Sequence, residues 1–176
     1  MDKITLEKIS AKQDELNAIA KWRNDSLATL RTSDLTAEGK AQENWINNLS
    51  GSDKYYFVCN YDTLQEKDIV IGYCGLDKIH PANRTAEISM LIGTEHQGKG
   101  YGKKAVDKLL DLAFNLFNLN IVFGEVYQTT DNLKFWLKCG FKEESTLRDR
   151  KYWNGKYYDS TIFSMSKGEW FNDIRK

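Results

Sequence analysis

The chain has 176 residues, 41% of them hydrophobic, and a mean hydropathy of −0.59. Lys+Arg and Asp+Glu both number 25, so the formal net charge is zero. These figures suit one globular domain over residues 1–176 with a core large enough to fold unaided, and argue against a membrane span or a protein devoted to nucleic acid.

The first strand is expected over Ile4 to Ile9, where apolar and polar residues alternate. Asp14 to Trp22 reads as a short helix with Leu16, Ile19 and Ala20 on one face. A second helix is expected from about Ala37 to Leu49, with Thr36 as its N-cap. Tyr55 to Cys59 is a strand, Asp62 to Asp68 a polar turn, and Ile69 to Leu76 a strand pairing back as a hairpin. His80 to Arg84 turns into a strand from Thr85 to Ile92. A further strand is expected at Ile121 to Tyr127, then a short helix from Asn132 to Cys139 that Gly140 stops. Asn154-Gly155 is a type I′ turn signal between Arg148–Trp153 and Lys156–Met165. The order β-α-α-β-β-β-α-β-α-β-β makes an α+β fold with mixed pairing.

Cys59, Cys74 and Cys139 are odd in number and lie in apolar or strand-like settings, so they read as reduced residues of a cytoplasmic protein. Met1-Asp2-Lys3-Ile4 has no signal-peptide character. The only histidines, His80 and His96, form no cluster with metal-ligand spacing, so no metal is expected.

The segment Gln97-Gly98-Lys99-Gly100-Tyr101-Gly102 is the most informative. It joins an apolar strand to an amphipathic helix in which Val106, Leu109, Leu110, Ala113 and Phe117 share a face. A glycine turn opening a helix gathers unpaired N–H groups at the positive end of the macrodipole, and without Cβ atoms a ligand can approach the main chain. The result is an anion cradle suited to phosphate or pyrophosphate. A dinucleotide G-x-G-x-x-G fails, because Gly102 falls one residue early. Gly93, Gly98 and Lys99 satisfy the start of a P-loop, but Gly100 follows where a magnesium-binding hydroxyl belongs. Q/R-x-x-G-x-G/A is met in full by Gln97, Gly100 and Gly102.

That loop resembles the pyrophosphate loop of the GNAT superfamily of N-acetyltransferases, and other segments agree. Ile71-Gly72-Tyr73-Cys74-Gly75-Leu76 resembles one family strand, and Ala86-Glu87-Ile88 with Ile92-Gly93 resembles the cofactor-carrying fourth strand. Leu137-Lys138-Cys139-Gly140-Phe141 resembles a family helix end. Trp22-Arg23-Asn24, Tyr152 to Asp159 and Glu169-Trp170 are similar to the subgroup acting on ribosomal-protein N-termini, polyamines, aminoglycosides and nucleotide-linked amino sugars. The likeness runs over about residues 3 to 170. It implies a mixed, mostly antiparallel twisted sheet flanked by helices, with acetyl-CoA in the gap between the fourth and fifth strands.

The resemblance also implies roles. N–H groups from Gly98, Lys99, Gly100, Tyr101, Gly102 and Lys103, with Gln97, would hold the pyrophosphate. Backbone of Met90, Leu91 and Ile92 would pair with the pantetheine arm. Thr129 or Asn132 would be a further pantetheine contact. An amine of pKa near 10 is neutral in only about one molecule in a thousand at pH 7, so a base helps. Glu87 is the expected base, or else a strand-edge glutamate binding a nearby loop. Trp136 stands where many relatives carry a tyrosine acid, so it packs under the cofactor or another group protonates the sulfur. Trp22, Arg23, Asn24 and Tyr152 fall at the acceptor side, with Arg31 and Tyr157 as further members; the other reading is packing for Trp22, surface salt bridges for Arg23 and Arg31, and a cross-strand pair for Tyr152 and Tyr157. His96 either meets a phosphate or is an exposed turn residue.

The expected activity is acetyl transfer from acetyl-CoA to a primary amine by direct attack. Small molecules are favoured, a nucleotide-linked amino sugar first, with a polyamine, aminoglycoside or protein N-terminus behind it. Exposed strands leave room for a homodimer. The rivals are a non-catalytic acyl-CoA-binding module and a P-loop nucleotide-binding protein.

Overall fold

The computed structural model describes residues 3–9, 13–27, 44, 48, 55–62, 69–127 and 132–174. Seven strands form one sheet in the order β1-β2-β3-β4-β5-β7-β6. They are β1 (Lys3–Lys8), β2 (Tyr55–Asp62), β3 (Ile69–His80), β4 (Thr85–Ile92), β5 (Ile121–Tyr127), β6 (Lys142–Trp153) and β7 (Lys156–Ser166). All neighbours are antiparallel except β4 and β5, which run parallel. The sheet is therefore mixed and mostly antiparallel, as expected.

The helices are α1 (Gln13–Leu27), α2 (Tyr101–Asp111), α3 (Asn132–Lys138) and α4 (Lys167–Ile174). Alternation along the strands sends successive side chains to opposite faces. Ala86 and Ile88 join Ala105, Val106, Leu109 and Leu110 of α2 in the main core, each at most 5% exposed. Burying each of these valine and leucine side chains contributes about 2 kcal/mol. Leu91 and Tyr73, on the other face, pack with Ile19 and Trp22 of α1 in a second cluster.

Several elements differ from expectation. Helix α1 runs past Trp22 to Leu27, and β3 continues past Leu76 to His80 through a register shift against β4. Strand β6 begins at Lys142, because β7 docks on β5 and carries β6 along its far side. After Asp111 the helix widens into a π turn, Leu112–Leu116, with Phe117 N–H donating to the Leu112 carbonyl at 2.9 Å. The wider turn shifts the register that follows it, so Phe117, expected on the buried face, is only half-buried, while Ala113 and Phe114 are fully buried. The closing α4 carries no strong period, yet Trp170 anchors it on Phe114. The helix expected from Ala37 to Leu49, the turn after Asp62, Arg31 and Thr129 lie largely or wholly outside the described residues. At the 154–155 turn Asn154 has φ of 46° and Gly155 of 82°, the left-handed pair a type I′ turn requires.

Edge strand β6 carries Lys142, Glu143, Glu144, Arg148, Asp149, Arg150 and Lys151, a charge density that discourages strand addition there. Among the described residues no helix is long and apolar enough to cross a membrane.

Candidate active site

Strands β4 and β5 pair only at Thr85↔Ile121, Ala86↔Val122 and Glu87↔Phe123, then separate. The opening is a cleft of about 690 Å³ between the free lengths of the two strands, the glycine turn and α3. Separation leaves main-chain donors and acceptors of β4 without a strand partner on that side, which is the edge an extended ligand adds to.

The turn at the cleft mouth is built by its backbone. Gly98 and Gly100 have φ of 75° and 79°, a region costly for other residues, and a Cβ at either would meet no atom within 4 Å. Gly100 is the N-cap of α2, and no side chain caps that end. The first-turn N–H groups of Tyr101, Gly102 and Lys103 have no intrahelical acceptor by helix geometry, and the Lys104 N–H reaches the Gly100 carbonyl at 3.4 Å. Open space above the glycines and the positive helix end suit a phosphate-bearing ligand. Gln97 works from beneath: its Nε2 donates to the Ile92 carbonyl at 2.8 Å and ties the turn to the end of β4.

A hidden support lies under the turn. Trp22 is 3% exposed and does not line the cleft; a Cβ on Gly93 would lie 2.4 Å from its ring. Its Nε1–H donates to both Glu95 carboxylate oxygens, at 3.1 and 3.2 Å. Glu95's own backbone N–H, with the indole, Thr94 and Lys21, holds that carboxyl at about 2 against the opposing effect of burial. His96, in the cleft wall, has its pKa lowered by burial and by Lys99 and Lys21, so it meets a ligand mainly as a neutral donor.

Of the expected ligand-binding residues, Met90, Ile92, Gln97, Gly98, Gly100, Tyr101, Gly102, Lys103, Asn132 and Trp136 line the cleft, as does Glu87. Leu91 points its side chain into the cluster around Trp22, and Lys99 donates from Nζ to the Glu95 carbonyl at 3.1 Å. Arg23 and Asn24 on α1 are not among the lining residues, and Tyr152 is 60% exposed on the β6–β7 hairpin, where its ring meets Tyr157. Trp136 is fixed by packing: it stacks on Phe163 at 4.7 Å and meets Phe141 edge-on at 5.3 Å. Phe163 in turn crosses β5 where Gly124 has no Cβ to obstruct it.

The other end of the cleft is acidic. Register places Asp77 of β3 opposite Glu87 of β4, and Glu125 follows on β5. Lys78 reaches Glu87, Nζ to Oε2 at 2.6 Å. That hydrogen bond, with the charges of Glu87, Asp77 and Glu125, raises the Lys78 pKa against the effect of burial. Glu125 accepts from Ser160 Oγ at 2.5 Å and lies 3.7 Å from Arg150 Nε. Tyr127 also lines the cleft, and its pKa is raised by burial and by Glu125, so the phenol keeps its proton at neutral pH. The Cys139 thiol is pushed up to about 11 by burial and is not the thiolate a covalent acyl-enzyme would need. Asp77, Lys78, Glu125 and Tyr127 were not singled out in the sequence. The period of two along β5, with Val122, Gly124 and Val126 turned inward, carries the signal for Glu125 and Tyr127; Lys78 has none, because a bulge places it.

A sheet split between two parallel strands, with open helix N–H groups at the split, is suited to an extended, phosphate-ended ligand added to the sheet. The acetyltransferase (GNAT) domain model matches residues 3–142, and the chain belongs to that family. The uncharacterized N-acetyltransferase p20 of Bacillus licheniformis is 37% identical over 108 residues, 61% of each chain. Spermidine N(1)-acetyltransferase of Vibrio cholerae is 30% identical over 104 residues, 58% of this chain and 60% of that one. The chain thus matches somewhat under two thirds of the length of these curated relatives. Two solved structures superpose with a TM-score of 0.82, each covering 96% of this chain and 98% of the other. One is a chimera of the Vibrio cholerae spermidine N-acetyltransferase SpeG and hSSAT, at 25% identity. The other is the Vibrio cholerae spermidine N-acetyltransferase in complex with CoA and spermine, at 24% identity. The fold is the GNAT fold.

Proposed function

We propose that the chain is an acetyl-CoA-dependent N-acetyltransferase whose acceptor is a small cationic amine. The observation that carries the reading is the cleft itself, with an N–H cradle at one end and Asp77, Glu87 and Glu125 at the other. Acetyl-CoA fits the residues present, since Gly98 and Gly100 leave open space beside unpaired helix N–H groups and Lys103 adds a cation there. Backbone of Met90, Leu91 and Ile92, on the separated length of β4, is available to its pantetheine arm. When bound it supplies an activated acyl group.

Protein side chains do the rest. Three carboxylates draw a protonated amine into the cleft. Glu87 then takes the proton that the amine must lose before attack. Tyr127 offers a proton toward the sulfur side in the place of the tyrosine that Trp136 displaces, and Asn132 contributes a polar contact at the start of α3. Trp136 is a packed floor. Burial holds the Cys139 thiol at about 11, so it offers no thiolate for an acyl-enzyme, which supports direct attack by the amine.

The acidic acceptor end shifts the preference among acceptors. A nucleotide-linked sugar would bring its diphosphate toward like charges, and Arg23 is not at the cleft to offset them. A polyamine brings the complementary charge, in keeping with the substrates named for the similar spermidine acetyltransferases.

Calorimetric titration with acetyl-CoA, and separately with ATP and magnesium, is the first test, followed by thiol release over an amine panel. Micromolar acetyl-CoA binding with turnover on spermidine supports the reading. Binding without turnover on any amine selects the non-catalytic acyl-CoA module, and ATP binding without acetyl-CoA binding selects the P-loop reading.

A further inference from the structure

Lys78 has no part in the reaction described above, yet its ammonium occupies the acceptor end of the cleft. It lies where β3 slips against β4, between Asp77 and His80, with φ of 49° in the left-handed region that non-glycine residues seldom adopt. Such outliers persist where the surroundings over-determine them, and here the Asp77 carboxylate accepts the Lys78 backbone N–H at 2.8 Å. Packing does not hold the side chain, which is 72% exposed. What holds it is Glu87, 2.6 Å from the ammonium, with Asp77 and Glu125 on the strands to either side.

We propose that Lys78 is a tethered competitor for the acceptor: its ammonium holds Glu87 while the cleft is empty of amine and has to leave before an acceptor can reach that carboxylate. The inference rests on the acetyltransferase reading and names what sets its acceptor KM. A tethered group acts at high effective concentration, so it competes even when each pairing is weak. The competition also selects by charge. A cationic amine replaces one ammonium by another and leaves the local charge unchanged. A neutral or anionic acceptor leaves Lys78 in place, and Glu87 remains engaged. Lys78 is thus a specificity-determining residue: it weakens every acceptor's access to Glu87, and a cationic amine is the kind that replaces the charge it displaces.

Two variants test this, Lys78→Met, which keeps length without charge, and Lys78→Arg, which keeps the cation. Spermidine affinity is measured by calorimetry on protein saturated with CoA, alongside KM and kcat for spermidine and KM for acetyl-CoA. An exposed ion pair is worth little, so Lys78→Met is expected to tighten spermidine binding and lower its KM by about two- to fivefold, with the acetyl-CoA KM unchanged. Lys78→Arg is expected to stay at or above the wild-type KM. Equal or weaker spermidine binding by Lys78→Met overturns the proposal, as does an Arg variant that behaves like Met. Affinity is read without turnover, so the two failures separate. A wild type that binds CoA and spermidine but transfers no acetyl group defeats the acetyltransferase reading, and the affinity shift still decides the role of Lys78.

Discussion

The two ends of the cleft are made of different material. At the proposed cofactor end the available groups are main-chain N–H groups around Gly98, Gly100 and Gly102, supported from below by Gln97, Glu95 and the buried Trp22. At the acceptor end they are side chains from three strands, Asp77, Glu87 and Glu125, with Lys78 among them. A backbone cradle tolerates change in any side chain that does not alter its path. A constellation of side chains fails or changes preference with one substitution. The cofactor end therefore reports on family membership and the acceptor end on specificity.

That contrast can be broken most directly at Glu87. Glu87→Gln removes the proposed base while keeping the shape, and kcat is expected to fall about 10²-fold near pH 7, with the acetyl-CoA KM unmoved. The deficit should narrow as the assay pH approaches the acceptor pKa, because the amine then arrives neutral; a flat deficit would instead assign Glu87 an electrostatic role. At the opposite end, Gly100→Val forces a branched side chain into φ of 79° and points a Cβ into the space reserved for phosphate. Acetyl-CoA affinity is expected to fall more than tenfold by calorimetry, with spermidine affinity in the CoA-free protein little changed.

A smaller effect separates support from contact. Trp22→Phe removes the donor to Glu95 and part of a buried ring, so a melting temperature lower by about 5 °C is expected from a loss of about 2 kcal/mol. The spermidine KM should stay within twofold; a large rise would return Trp22 to the acceptor contacts expected from the sequence.

The acid limb of stability follows the same support. Glu95 and Glu169 have carboxyls at about 2 in the folded chain against 4.5 ordinarily, Glu169 chiefly through its hydrogen bond from Lys142. A depressed folded pKa contributes stability that is present above 4.5 and lost as pH falls towards 2. Glu95→Gln should lower the melting temperature by only about 2 °C at pH 7, because the Glu95 carboxylate and Lys21 are exposed to screening solvent, and the difference should vanish below pH 2, where Glu95 is protonated. Smallest of all, Lys99→Ala is expected to change acetyl-CoA affinity less than threefold, because Lys99 is held on the Glu95 carbonyl outside the cleft. Loss of all binding on that change would revive the P-loop reading.

Most of the strands were legible because alternation and turn residues are local signals. Thr85–Ile92 and Ile121–Tyr127 fall where the pattern puts them, and Asn154-Gly155 turns as its chemistry requires. The length of α1 past Trp22, the π turn at Leu112 and helix α4 were not, because contacts far along the chain decide them. In the site, the glycine turn was readable residue by residue, since positive φ and an open N–H row demand glycine. The function of Trp22 was not, because only packing against Gly93 shows which side of the sheet it serves.

The sequence by itself determined the α+β order of elements, the glycine turn that opens α2 and the acyl-CoA family likeness. Each is assembled from local patterns of alternation, turn residues and glycine spacing, whose members lie a few positions apart. Only the tertiary structure decided where β4 and β5 part, and that three carboxylates and the Lys78 ammonium meet at one end of the cleft. It also placed Trp22 beneath the glycine turn, against Gly93 and hydrogen-bonded to Glu95. Charge meeting charge across strands depends on register and on one bulge, and neither is written in local sequence.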